Sequence, residues 1–180
     1  MKNIEKFIRD NKCTLLGVGP MSKNCVDATV EIVNSNKIPI LLIASRRQID
    51  SEEFGGGYVN DWDTRTFSNY IKKSDKNNNI ILSRDHGGPW QNNLEIEKKY
   101  NLKESMDSCK RSYKEDIDND FKIIHIDPSI DPFKKLNSKI ILERVKELLL
   151  FCYEYSKKKG KEIYFEIGTE EQSGYTNTFE

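Results

Sequence analysis

Four short stretches of this sequence place residues able to do chemistry directly after apolar runs. Ile80-Ile81-Leu82 leads into Ser83-Arg84-Asp85-His86 and then a breaker, Gly87-Gly88-Pro89. A carboxylate beside an imidazole can hold a divalent metal or work as a general acid/base pair. An Asp that satisfies strand-end N–H groups beside a solvent-facing His fits the dipeptide as well. In Lys122-Ile-Ile-His-Ile-Asp127, His125 and Asp127 are two apart and share one face, while Ile124 and Ile126 take the other. Taken singly, His125 reads as a hydrogen-bonded core histidine, and Asp127, at the strand end, is the stronger site candidate. Glu166 shares a face with Tyr164 and Gly168. An inward-facing glutamate is costly unless it meets a cation, a metal or a hydroxyl-rich ligand, and Gly168 would admit close approach by a ligand or backbone. Ser45-Arg46-Arg47-Gln48 follows the apolar run at 38–44; its arginines suit a phosphate or carboxylate, or form a solvated basic patch.

The elements that must position these residues alternate in type. Apolar runs at 13–18, 38–44, 80–82, 122–127 and 162–168 read as strands, the second as one covered on both faces. A short amphipathic start carries Ile4, Phe7 and Ile8. Between strands, Ser22 caps a helix with Val26, Val30 and Val33 at helical spacing. Asp63 caps one with Phe67, Tyr70 and Ile71. A third spans about 103–117, and Asn137 or Ser138 caps a fourth over about 138–158, ended by Gly160. The stretch from Ser45 through Gly55–Gly57 reads as polar, flexible loop; without a following Lys-Ser/Thr it is no phosphate-binding P-loop. Trp62 and Trp90 fall in loops, as sugar-site floors or loop anchors. Strict βα alternation predicts parallel strands, in a doubly wound sheet or a (β/α)8 barrel. No G-x-G-x-x-G follows the first strand, which weighs against the dinucleotide-binding sheet. Both folds place ligands at the C-terminal strand ends.

Bulk properties narrow the function classes. The 29 basic and 29 acidic residues cancel across 180 residues, so no global field points to nucleic acid or an anionic membrane. Four dispersed cysteines, Cys13, Cys25, Cys109 and Cys152, fit neither a zinc knuckle nor a disulfide framework and read as small core residues. With no signal-peptide pattern and no apolar run of spanning length, the expected setting is the cytoplasm.

In order, Ile43-Ala-Ser-Arg-Arg-Gln-Ile49 with Phe54-Gly-Gly-Gly-Tyr58, the stretch 80–89, the stretch 121–129 and Ile167-Gly-Thr-Glu170 resemble the N-terminal part of the non-catalytic (Z-type) subunit of class II D-tagatose-1,6-bisphosphate aldolase. That family shows a Glu-Ala-Thr run leading to Gln-Phe-Gly-Gly-Tyr, then Gly-Gly-Asp-His-Leu-Gly-Pro, Lys-Ile-His-Leu-Asp-Ala-Ser and Ile-Gly-Thr-Glu. The likeness covers nearly the whole chain and rests on the ordered set. It implies a (β/α)8 TIM-barrel type of fold, here the first five strands and four helices in a single domain. It also implies a role in galactitol- or tagatose-type sugar-phosphate metabolism. Carried over, His86 is the metal ligand, for zinc or another divalent ion, and Asp85 the acid/base residue. Asp127 and Glu166 are the remaining catalytic candidates, orienting hydroxyls or metal. Ser45, Gln48, Arg84 and Glu170 are substrate-binding candidates.

Three departures bear on this. The family's Gly-Gly before Asp-His is Ser83-Arg84 here, which would put an arginine at the site mouth. Ile43 stands where the family has Glu. The five strands also lack the later histidine ligands and the phosphate-binding loops of strands seven and eight. The expected function is therefore an accessory subunit that stabilises a catalytic class II aldolase chain or self-associates. The alternative is a stand-alone divalent-metal-dependent aldolase or isomerase. A third reading is a truncated or split-gene product whose edge strands need covering. Sugar phosphate is the expected ligand; nucleic acid and membrane are not expected partners.

Overall fold

The structure, a computed structural model, describes residues 4–168. Its strands are β1 (Leu16–Val18), β2 (Ile40–Ser45), β3 (Ile80–Gly87), β4 (Ile123–Ile126) and β5 (Tyr164–Ile167). The helices are α1 (Ile4–Asn11), α2 (Lys23–Asn36), α3 (Thr64–Ser74), α4 (Asn93–Glu97), α5 (Leu102–Asp118) and α6 (Ser138–Lys159). All strand pairs are parallel and the sheet order is β1-β2-β3-β4-β5. That order decides between the two folds the alternation left open. A doubly wound sheet reverses its order at a switch point. Strictly sequential strands with right-handed crossovers keep every helix on one face, as in a (β/α) barrel. The chain is α/β, of (β/α)-barrel type.

Register shows which residues face the helices. Ala44, Arg84, Ile124 and Phe165 lie side by side across β2 to β5. Leu42, Ala44, Leu82, Ile124 and Ile126 join Val26 and Val30 of α2, Phe67 and Ile71 of α3, Tyr113 and Ile117 of α5 and Leu148 of α6 in one apolar core. The opposite, lumenal face carries Ile43, Ser83 and Ile123, then Ser45 beside Asp85 and His125 beside Glu166. β2 consequently alternates buried and half-buried residues and is not covered on both faces, because the helices pack against one side.

The helix caps follow the sequence. Ser22 accepts from Cys25 N, Asp63 from Thr66 N and Asn137 from Ile140 N, and Gly160 closes α6 with φ 65°. Asn101 and Glu104 form a reciprocal capping box on α5. β1 is shorter than the run at 13–18, and α4 falls within what reads as plain connection. Cys109 and Cys152 are core residues as expected, whereas Cys13 and Cys25 are only partly buried.

The largest departure from the sequence reading is the segment after β2. It is packed, with Arg46, Ile49, Asp50, Phe54, Val59 and Trp62 all buried. Arg46 is the reason. Its Nε donates to Asp50 Oδ2 at 2.9 Å, its Nη1 to Glu95 Oε1 at 2.6 Å and to Gly88 O at 3.0 Å, and its Nη2 to Ser108 at 3.2 Å. Ser112 and Asn92 donate to Asp50, and Ser105, Ser108 and the Trp90 N–H donate to Glu95. Arg46 is therefore neither a phosphate ligand nor a solvated charge. Removing one partner of a buried, fully bonded ion pair typically costs about 3–5 kcal/mol, since the other charge is left uncompensated. Glu95→Ala should lower the unfolding free energy by about that amount in urea titration; a loss below about 1 kcal/mol would show the network to be dispensable.

Candidate functional site

The strand ends meet at β3. Between Arg84 and Gly87 the β3–β4 register slips: Arg84 sits opposite Ile124, but Gly87 sits opposite Ile126. One extra residue is thus accommodated in β3, and His86 takes it up with a left-handed φ of 41°. In a regular strand Asp85 and His86 would point to opposite faces. The bulge lets both reach the face that carries His125.

One donor atom from each of Asp85, His86 and His125 lies within 4.8 Å of the other two. Asp85 Oδ1 is 3.4 Å from His125 Nδ1 and 3.8 Å from His86 Nε2. Behind the cluster, His86 Nδ1 is 2.7 Å from Asp127 Oδ2. A carboxylate oxygen accepts, so His86 donates through Nδ1 to Asp127, and its Nε2 faces Asp85. Gln91 Nε2 donates to the same Asp127 oxygen at 2.9 Å, and Asp127 Oδ1 accepts from Ser129 N at 3.1 Å. Asp127 has no exposed surface. It holds His86 through Nδ1 and is not among the residues that line the cleft.

His125 is held from two sides. Its Nδ1 accepts the His86 backbone N–H at 3.2 Å, and its Nε2 is buried without a hydrogen-bond partner. Its ring fills the space that a side chain at Gly168 would need; a Cβ there would lie 2.1 Å from Nε2. The close approach anticipated at Gly168 is therefore made by an imidazole. His125 is buried and hydrogen-bonded, as the core-histidine reading expects, and its two-residue spacing from Asp127 also puts it on the lumenal face beside Asp85. Burial opposes ionisation of Asp85 most strongly. The nearby His125, with Nδ1 3.4 Å away, and His86 outweigh it, so the Asp85 carboxyl sits below its ordinary value.

Beside the cluster is an open cleft of about 420 Å³, lined by Ser45, Arg47, Gln48, Tyr58, Asp85, His86 and Gln91. Ser45 and Gln48 thus fall where the sequence suggested. Arg84 does not. It is fully buried on the helix face, with Nε and Nη2 on the two Asp116 oxygens at 2.8 and 2.6 Å and Nη1 on the carbonyls of Ala44 and Ile49. Strand alternation explains this: Arg84 adjoins Asp85 and must point the other way. Glu166 lies across from His125 in the β4–β5 register, is exposed, and does not line the cleft. Glu170 lies outside the described residues. Trp62 and Trp90 are buried and do not line the cleft beside the cluster; Trp90 lines a separate pocket with Leu102, Asp131 and Phe133. Of the two arginines that suited a phosphate or carboxylate, Arg47 lines the cleft, and Tyr58 and Gln91 are cleft residues that the sequence did not single out as ligands.

Two imidazoles and a carboxylate are donors suited to zinc or a similar divalent ion. The Asp127–His86 pair supplies the carboxylate–histidine support typical of such ligands. An ion at His125 Nδ1 would replace its hydrogen bond from His86 N–H. The residues therefore fit a divalent metal. Among the described residues no helix is long and apolar enough to cross a membrane.

The sequence matches no protein-family model and no curated protein. The chain superposes on a structure described as a probable tagatose 6 phosphate kinase from Sinorhizobium meliloti 1021, with TM-score 0.70 and 18% identity. That match covers 88% of this chain and 39% of the other, so the chain spans well under half the length of that protein. A superposition on fructose-bisphosphate aldolase from Campylobacter jejuni gives TM-score 0.42 at 14% identity, over 91% of this chain and 54% of that one. The first likeness supports the (β/α)-barrel type of fold, and at such identity it says nothing of the site.

Asp127→Asn keeps the shape of the side chain and removes the carboxylate that fixes the His86 proton. It should weaken Co2+ binding, followed by visible absorption, by about 10- to 100-fold. Unchanged affinity would show that Asp127 has no part in presenting His86.

Proposed function

We propose that this chain binds a sugar phosphate with the help of a divalent metal ion and takes part in aldol-type carbon–carbon bond chemistry. The observation that carries the reading is the convergence of Asp85, His86 and His125 beside a cleft lined with hydroxyl, amide and guanidinium groups. The resemblance of the ordered motifs to the tagatose-bisphosphate aldolase subunit supports the substrate class. So does the name of the superposing structure, which refers to tagatose 6 phosphate.

His86 and His125 would hold the ion through neutral imidazoles. A divalent ion bound there would polarise a ketose carbonyl. Asp85, held ionised by its neighbours, can accept and return a proton at Oδ1 or Oδ2. The Ser45 and Tyr58 hydroxyls, which line the cleft, supply donors and acceptors for substrate hydroxyls. His125 changes the balance of the sequence reading, because it gives the chain a second imidazole in the same cluster. That favours a metal site belonging to this chain over a wholly inert scaffold.

The accessory-subunit reading stands second. Among the described residues β1 pairs with β2 alone and β5 with β4 alone, and Leu16 and Ile167 are exposed on these outer strands. Such edges would pair with a catalytic aldolase chain or with a second copy.

Purified chain should cleave ketose bisphosphates when supplied with Zn2+ or Co2+, and lose that turnover on chelation. Asp85→Ala and His86→Ala should each reduce it at least about 100-fold. Turnover absent alone but gained on co-purification with a class II aldolase chain would select the accessory role. Full activity in both variants would overturn the site.

A further inference from the structure

We propose that Arg47 is the anion anchor of the cleft, holding the phosphate of the ligand whose oxygen atoms meet Asp85 and His86. This deepens the sugar-phosphate reading and rests on it for the identity of the ligand.

The tandem arginines divide their work by geometry. Arg46 is buried and bonded on all sides by Asp50, Glu95, Ser108 and Gly88 O. Arg47, one residue on, is exposed and lines the cleft. Other arginines are already committed: Arg84 to Asp116, Arg65 to Glu52, Arg111 to Glu53 and Arg144 to Asp131. Arg47 has no ion-pair partner among the described residues, and Asp85, the carboxylate in the cleft wall, is engaged by His125.

The backbone beneath Arg47 is hydrogen-bonded from both sides, which makes it a suitable anchor. Gln48 N and Ile49 N donate to Ser45 O, and Gln48 Oε1 accepts from Ser45 N at 2.9 Å. From the other side Tyr58 N donates to Arg47 O at 3.1 Å and Val59 N to Gln48 O at 3.2 Å. Gly57 permits this contact, since a Cβ there would lie 1.9 Å from Gln48 O. The glycine run thus clamps the Arg47 turn against the Tyr58 wall. A planar guanidinium on such a platform can take a phosphate with two parallel hydrogen bonds, which an ammonium cannot reproduce. The cleft then has an anion end at Arg47 and Tyr58 and a metal end at Asp85 and His86.

The test is calorimetric titration of the full chain with inorganic phosphate and with fructose 1,6-bisphosphate, in wild type, Arg47→Gln and Arg47→Lys. Co2+ binding is measured in parallel. Arg47→Gln should raise the Kd for both phosphate probes by about 10- to 100-fold, with Arg47→Lys in between and Co2+ affinity unchanged. Unchanged phosphate affinity in Arg47→Gln, or no phosphate binding by wild type, would overturn the anchor. The two readings fail separately. Arg47-dependent phosphate binding without Co2+ binding keeps the anchor and removes the metal site; Co2+ binding with Arg47-independent phosphate binding does the reverse.

Discussion

The buried Arg46 guanidinium is the constraint on which the upper end of this structure depends. It sits with Arg84 among three buried carboxylates, Asp50, Glu95 and Asp116. A charge taken out of water is tolerated only when each of its polar atoms finds a partner. Serines of α5, Asn92 and the Trp90 N–H provide partners for the carboxylates, so the segment after β2, the turn after β3 and helix α5 are held in one arrangement. That arrangement fixes Gly88 and Trp90, and with them the loop that carries Gln91 to Asp127. The cleft is thus built on charge satisfaction beneath it as much as on apolar packing.

A second, smaller constraint acts on the chemistry itself. The bulge at the end of β3 is what allows two consecutive residues to serve one face. Its extra residue, His86, is held in the left-handed region without being glycine, a conformation the surrounding structure must impose. The Asp127 carboxylate against His86 Nδ1 and the His86 N–H against His125 do this. The same contacts that hold the backbone therefore orient the imidazole toward Asp85.

Much of this was readable in the sequence where local rules apply. The caps at Ser22, Asp63 and Asn137, the αL glycine after α6, the parallel βα alternation and the strand-end positions of Ser45, Asp85, His86 and Asp127 all follow from spacing and residue type. What was not readable depends on partners distant in the chain. Ser105, Ser108, Ser112 and Asp116 form a polar stripe on α5 that looks solvent-facing, yet it is buried because Arg46, just after β2, and Arg84 of β3 meet it. Arg84 illustrates the same point. Motif position suggested the site mouth, whereas strand alternation sends it to the helix face. The bulge, invisible in residue types, brings His86 to the face that carries His125, and the glycine run became a wall because it lies against the Arg47 turn.

On this reading His86 and His125 hold a divalent ion beside Asp85. X-ray absorption at the zinc edge of the Zn2+-loaded protein tests it most directly. The account predicts a first shell of two imidazole nitrogens and oxygen at about 2.0–2.2 Å. A shell containing sulfur, or a fully hydrated ion with no imidazole scattering, would contradict it.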